Sequence, residues 1–555
     1  MSDFTPKLFT LLKQGIPRSQ VVKDLFAGTV VGIVALPLAI AFAIASGVSP
    51  DKGLITAIVA GFIISLLGGS RVQIGGPTGA FIVVVFGVVE KYGVEGLTIA
   101  TLIGGVMIVM MGLLRLGSLL KFVPLPLIVG FTSGIAVIIF SSQVKDFFGF
   151  PMDDVPASFF EKWKAYGRAL PHINYYALGV GVISAIISLY FHRITRKIPG
   201  PFAALVLATG VVYFFQLPVD TIGSRFGAIP STLALPSMPH LDLDKIGNLL
   251  QPAIAIALLG SIESLLSAVV ADGMIGGNHR SNGELVAQGA ANIASSLFGG
   301  IPATGAIART ATNVKNGGRT PIAGITHALV LLLIMLLFAP LAKLIPLACL
   351  AGILIVVAYH MSEWRHFLEL LNSNRLDVLV LVTTFLLTVI FDLIIAIEVG
   401  LVLSSFMIMK RMSDTMTVQS GEKVLNGSDE KLFEEELPAI PPGVVLYEIQ
   451  GALFFGAAQK FQDLIREIHS KPRVIILRMR HVPFIDATAT KRIKDMIKHF
   501  EADKVHVILS GVTPSVRDEL ERSGIYDVLD RRNLLSHVTL SLKRAHAIMN
   551  EASGA

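Results

Sequence analysis

The sequence predicts an α-helical membrane protein with fourteen membrane segments in two inverted seven-segment repeats, followed by a small cytoplasmic α/β domain. Three observations carry this. The 555 residues are 53% hydrophobic and 15% charged, where a soluble domain carries about 25% charged residues, and the mean hydropathy is +0.69. Apolar runs recur at the length of a spanning helix, about 20 residues. A short motif also occurs twice, far apart: Gly75-Gly76-Pro77-Thr78-Gly79-Ala80 and Gly299-Gly300-Ile301-Pro302-Ala303-Thr304-Gly305-Ala306. Each copy runs Gly-Gly, Pro, Thr-Gly-Ala, and an apolar helical run follows each.

Residues 1–24 are polar and basic, with Lys7, Lys13, Arg18 and Lys23. The first apolar run after them has span length, so it reads as a retained helix, not a cleaved signal. The first repeat, 25–216, comprises Leu25–Ala45 with Pro37 in its middle, Lys52–Leu67, the short Thr78–Val89, Val94–Leu114, Leu125–Ser142, Tyr175–Phe191 and Phe202–Phe215. A Pro-rich connector, 217–247, separates it from the second repeat, 248–411. That repeat reads Leu249–Val270, Leu285–Leu297, the short Thr304–Val314, Thr320–Leu337, Leu341–Tyr359, Leu376–Phe391 and Leu393–Met409, with Asp392 at a turn. The interrupted segment is third in both. An odd-numbered unit turns the second half upside down relative to the first. Lys and Arg gather in the short loops of one side, at Arg71, Arg115, Lys121, Arg193, Arg280, Lys315, Arg319 and Lys410. That bias places both termini in the cytoplasm of an inner membrane. Residues 412–437, with an acidic run from Asp429, read as a linker. Over 438–550, strands at Val444–Ile449, Val474–Met479 and Val505–Ser510 alternate with helices at Ala457–His469, Thr488–Phe500, Pro514–Arg522 and Leu534–Met549. This is the pattern of a small α/β domain.

A half-helix that begins inside a membrane presents free N–H groups and the positive end of its dipole. Two of them aimed at one spot near the bilayer midplane attract an anion. The expected donors are Thr78 and Gly79 on one side and Thr304, Gly305 and Ala306 on the other. Arg309 lies about a turn further on. A charge at the membrane centre costs about 2.5–3.5 kcal/mol on insertion scales, so it faces a cavity or a partner. Arg309 therefore reads as the anion's countercharge, or as the structural partner of an acid such as Glu263. Glu263 itself interrupts an apolar helix, and a carboxyl in that position can carry a proton. Asp272 reads as a cap at the inner end of the same helix. The lone cysteine, Cys349, excludes an intramolecular disulfide. Metal-ligand clusters, catalytic triads, Walker loops and GxGxxG motifs are not in the sequence, which argues against an enzyme, an ATP-driven pump and any cofactor. The net charge of +6 follows from the loop bias and implies no nucleic-acid partner.

Gly68-Gly69-Ser70-Arg71 followed by Gly75-Gly76-Pro77-Thr78 resembles the signature of the SulP (sulfate permease) family, and Asp24-Leu25-Phe26-Ala27-Gly28 with Pro37-Leu38-Ala39-Ile40-Ala41-Phe42-Ala43 resembles its first helix. Leu453-Phe454-Phe455-Gly456-Ala457-Ala458 and Ile485-Asp486-Ala487-Thr488-Ala489 resemble the start and the phospho-acceptor turn of a STAS domain. The run Ile307-Ala308-Arg309-Thr310-Ala311-Thr312-Asn313 resembles the branch containing the dicarboxylic-acid transporter DauA. The resemblance implies core and gate domains, a homodimer, alternating access by movement of the core, and a small anion as substrate: sulfate, bicarbonate, chloride or a C4-dicarboxylate. It adds Leu38 and Phe42 to the anion site; where many members carry glutamine this chain has Leu38, which removes a side-chain donor. Glu263 and Ser267 stand where some relatives bind sodium and others couple protons. Here the sodium-type Asp and Thr are Glu and Ser, and Ile307 replaces a hydroxyl residue, which favours a proton over sodium. Thr488 takes the phospho-acceptor position, but with Ala487 and Ala489 as neighbours the turn reads as a surface for docking or dimer contact. The competing readings are a passive anion channel or voltage-responsive motor, since a motor-like animal branch also has arginine at the place of Arg309, and a sensor whose STAS domain is the output.

Overall fold

The structure, a computed structural model, describes residues 3–118, 124–152, 155–156, 158–195, 198–227, 230–239, 243–391, 393–420, 440–456 and 472–551. Asp392, residues 421–437 of the expected linker and the helix expected at Ala457–His469 lie outside them. The chain divides into two compact units, Met1–Leu401 and Val402–Ala555.

The first unit is helical. Its elements are α1 (Lys7–Gln14), α2 (Arg18–Ala45), α3 (Pro50–Leu67), β1 (Gly75–Gly76), α4 (Phe81–Leu113), α5 (Leu125–Phe148), α6 (Phe159–Ala169), α7 (Tyr175–Tyr190), α8 (Gly200–Phe215) and α9 (Ile222–Phe226). After them come α10 (Leu243–Ile275), α11 (Ser281–Leu297), β2 (Thr304–Gly305), α12 (Ile307–Lys315), α13 (Ile322–Ala342), α14 (Leu347–Met361), α15 (Trp364–Leu371), α16 (Arg375–Ile390) and α17 (Leu393–Thr415), which runs on into the second unit. Among the described residues, eight helices are long and apolar enough to cross a membrane. α4 is two helices joined at Gly93, whose φ of 70° breaks the run, so a short helix precedes a longer one. The helices α6, α9 and α15 fall in stretches that carried no expected element.

Two helix groups form inside this unit. The helices α2, α3, α4, α10, α11, α12 and α13 pack on one another, and α5, α7, α8, α14 and α16 make the second group. Carboxylates, Asp24 and Glu284 buried and Asp272 half-buried, tie loops to the first group. Asp24 accepts from the Arg319 amide (2.7 Å), Thr320 Oγ1 (2.7 Å) and Gln20 Nε2 (3.0 Å), which joins the start of α2 to the start of α13. Glu284 accepts from the Ser70 amide and Gln288 Nε2, both at 2.9 Å, which fixes the chain between α3 and β1. Asp272 accepts from the backbone and ring nitrogens of His279 at 2.6 and 2.7 Å. It thus holds the turn beyond α10, where a cap on the helix end was expected.

The second unit has a five-stranded sheet in the order β3 (Thr417–Ser420), β4 (Val444–Gln450), β5 (Val474–His481), β6 (His506–Ser510) and β7 (Leu534–Leu535). β3 is antiparallel to β4, and the other pairs are parallel. The helices α18 (Ala487–Ala502), α19 (Pro514–Arg522) and α20 (Val538–Glu551) are described with it. Ile475, Leu477 and Met479 join one apolar cluster with α18, while Val474 and Ile476 join another with α20. A central parallel strand is therefore covered on both faces. β3 falls where a linker was expected: four residues, three of them polar, give too short a pattern to read. Leu534–Leu535, expected to open a helix, form β7 instead, and α20 begins at Val538.

Candidate anion site

The two copies of the repeated motif meet. β1 and β2 pair antiparallel, Gly75 opposite Gly305 and Gly76 opposite Thr304. Glycine is required at this crossing. Gly76 has φ of 145°, and a Cβ on it would lie 2.7 Å from Arg309 Nη1; a Cβ on Gly305 would collide with the Gln73 amide.

Beyond the crossing the chain turns into α4 and α12. Phe81 N donates to Thr78 O, Ile82 N to Gly79 O, and Thr310 N to Ala306 O. Among the described residues, the N–H groups of Thr78, Gly79 and Ala80, and those of Ile307, Ala308 and Arg309, have no acceptor. The N–H groups of Thr78 and Gly79, expected as donors, are thus free. Those of the second half are not, because strand pairing and side chains use them: Gly305 N donates to Ser264 Oγ (3.2 Å) and Ala306 N to Ile74 O (2.8 Å). The free donors there move on to Ile307, Ala308 and Arg309. Ile307 and Ala308 are exposed.

Thr78 and Glu263 are partly exposed beside these groups, and Thr78 Oγ1 donates to Glu263 Oε2 at 3.1 Å. Ser264 and Thr304 share a hydrogen bond of 2.7 Å, and Thr304 Oγ1 also donates to Gly260 O (3.1 Å). Ser267 is buried, with its hydroxyl 3.5 Å from Thr310 Oγ1, so it meets α12 and not Glu263. Arg309 is 3% exposed, and its Nη2 donates to the Pro77 carbonyl. It spans from α12 to the start of α4. Among the described residues no ion pair joins it to Glu263. Leu38 and Phe42, on α2, are buried in the apolar cluster that also holds Ala80, Phe81, Leu259 and Ile301.

Residues not singled out from the sequence hold this geometry. Asn292 accepts from Ala303 N and donates to Ala303 O, both at 2.8 Å. Thr56 Oγ1 accepts from Ile301 N at 2.7 Å, and Gln73 Nε2 donates to Ser264 O at 3.1 Å. One signal was readable. Glu284, Gln288, Asn292 and Ser295 fall on one face of α11 at helical spacing, and all are fully buried. A polar stripe in an apolar helix marks a packed polar interior. In the second unit, Thr488 is exposed in the first turn of α18, whose start is capped by Asp486 accepting from Ala489 N (2.8 Å).

Residues 21–384 match the sulfate permease family, and residues 438–545 match the STAS domain. Over 517 residues the chain is 43% identical to YvdB of Bacillus subtilis (strain 168), which carries the name of a sulfate transporter, covering 93% of this chain and 96% of that one. It is 31% identical over 523 residues to the bicarbonate transporter BicA of a Picosynechococcus species, covering 91% of each. The murine Slc26a9 anion transporter in its inward-facing state shares the fold, with a TM-score of 0.86 at 18% identity over 98% of this chain and 94% of that one. These relatives and structural neighbours are transporters, not enzymes. The chain belongs to the sulfate permease family of anion transporters, as a multi-pass membrane unit carrying a C-terminal STAS domain.

Proposed function

We propose that this protein is a secondary active anion transporter of the inner membrane, with both termini cytoplasmic, that carries its anion together with a proton by alternating access. The observation behind this reading is the meeting of two motif copies with free N–H groups on both sides and a partly exposed carboxyl, Glu263, hydrogen-bonded by Thr78 beside the first of them. The amides of Thr78, Gly79 and Ala80 and of Ile307, Ala308 and Arg309 receive the anion, and Leu38 and Phe42 wall the site. Arg309 acts from behind the crossing, through its field and not by direct contact. Glu263 couples the proton. Two negative charges in one cavity repel, so anion and proton bind cooperatively, which is the condition for symport. Bicarbonate and sulfate lead the substrate class on the names of the relatives, and the Ile307–Asn313 run keeps C4-dicarboxylates within it. A homodimer in which the STAS domain, with Thr488 on its surface, serves docking or regulation completes the reading.

The test is uptake by proteoliposomes of labelled bicarbonate, sulfate, chloride and succinate in sodium-free buffer, with and without an inward pH step. Wild-type uptake should accelerate with the step. Glu263→Gln, a fixed mimic of the protonated form, should exchange anions but ignore it. Uptake that ignores the step in the wild type, or that needs sodium, replaces the proton by sodium or removes coupling. Flux without counterflow indicates a channel, and no flux of any anion leaves a sensor.

A further inference from the structure

Arg309 brings one nitrogen into the protein interior, Nη1, that meets no partner among the described residues. The helix α13 supplies a second group in the same condition. His327 is fully buried, and neither of its ring nitrogens has a partner. Both side chains flank the same piece of backbone. A Cβ built on Gly61 of α3 would lie 3.1 Å from the Gly75 carbonyl and 3.4 Å from His327 Cε1. One built on Gly76 would lie 2.7 Å from Arg309 Nη1 and 3.3 Å from the Cα of Ala57. Ala57 and Gly61 are one turn apart on α3. The imidazole and the guanidinium thus stand beside Gly75–Gly76 at adjacent turns of α3, whose side chains there are only those of Ala57 and Gly61. Two carbonyl oxygens near the crossing also lack partners, those of Gln73 and Asn313, but these side chains pack at Gly305 and Gly318.

A guanidinium offers only donors, and a neutral imidazole has one acceptor nitrogen. A buried charged donor left without an acceptor is costly, and no carboxylate forms an ion pair with Arg309 among the described residues. We propose that His327 is a positioning residue for Arg309. Its acceptor nitrogen takes the hydrogen bond from Nη1 through one buried water and holds the guanidinium against Pro77. The positive charge then stays at the N-termini of α4 and α12. This rests on the reading that the charge of Arg309 contributes to anion binding.

The test uses the full chain in proteoliposomes with labelled sulfate and labelled bicarbonate as probes. His327→Phe should raise KM about tenfold, the factor that one charge-assisted hydrogen bond supplies, with the maximal rate within about twofold of wild type. His327→Gln, which keeps an acceptor, should restore KM to within about threefold. The double variant Arg309→Ala/His327→Phe should show the KM of Arg309→Ala alone, since coupled residues are non-additive. If Arg309→Ala raises KM and His327→Phe does not, the positioning role is wrong and the countercharge reading stands. If Arg309→Ala itself leaves KM unchanged, that reading falls and this proposal with it. Equal losses for Phe and Gln, with an additive double variant, would reduce His327 to packing and overturn the proposal. Where the Phe protein does not fold, His327→Leu against His327→Asn makes the same comparison at smaller volume.

Discussion

Asn292 shows how much of the site depends on single side chains. Its amide satisfies both the N–H and the C=O of Ala303, immediately before β2. Asn292→Ala would leave both groups bare in a dry interior, at about 1–3 kcal/mol each. The expected outcome is a lower unfolding temperature in detergent and a weaker apparent affinity for anion, because the chain leading to Ile307 loses its hold. A variant with wild-type unfolding and uptake would show that Ala303 finds other partners. At this scale the sequence displays the rare groups well. A glycine pair, a proline, an arginine and a glutamate stand out in apolar runs, and Thr78, Glu263 and Arg309 do converge on the crossing. What each copy alone could not display is the pairing of β1 with β2. That pairing uses the N–H of Ala306, the Ser264 hydroxyl takes that of Gly305, and the free donors of the second half move to Ile307, Ala308 and Arg309. Nor does His327 stand out, since a single histidine among leucines and alanines is most simply a packed side chain.

Among the elements, α6 links the two helix groups. Trp163 Nε1 donates to Ser141 Oγ on α5 at 3.1 Å, and Lys162 lies with its Nζ 5.7 Å from the ring centre of Phe86 in the short half of α4. In the proposed alternating-access cycle the group containing α4 moves against the group containing α5, which would break this contact each time. Lys162→Met keeps the packing and removes the charge. A cation–π contact is worth about 0.5–1 kcal/mol at exposed sites and about 2 kcal/mol when desolvated, and Lys162 is buried, so the maximal uptake rate should rise by at least roughly two- to fivefold with KM unchanged. Burial lowers the pKa of Lys162 below the ordinary lysine value, with Glu90 pulling the other way. The wild-type ammonium therefore loses its proton at a lower pH than a free lysine. As pH rises the wild type should approach the variant, and the gap in rate should close. Rates that coincide at neutral pH would mean that α6 does not restrain the cycle. The sequence did not announce α6, α9 or α15, because each is short and lies among charged or proline-rich residues where helical periodicity has little length to build on. The long apolar helices needed no such length of context, and Gly93 broke α4 where the two expected segments divided.

The whole molecule separates into units that each bury an apolar interior of their own, one centred on α2, α3 and α4 and the other on the two faces of the five-stranded sheet. Removal of the second unit should therefore spare the first, but the place of the cut matters. The expected linker, 412–437, contains β3, whose partner β4 lies beyond it. A chain ending after residue 437 would keep β3 as an unpaired edge and expose Met416, which is 5% exposed in the intact sheet. Unpaired edges template aggregation. A chain ending after Thr415 removes the strand with its sheet. The shorter chain should elute as a single species in size-exclusion chromatography, while the longer one should aggregate, although it retains more of the protein. Both should insert in the membrane, with uptake or abundance below that of the full chain. If both truncated proteins carry anion like the full chain, the STAS domain has no regulatory part in transport. If neither inserts, the second unit is needed to build the first, and the independence of the two interiors does not extend to folding.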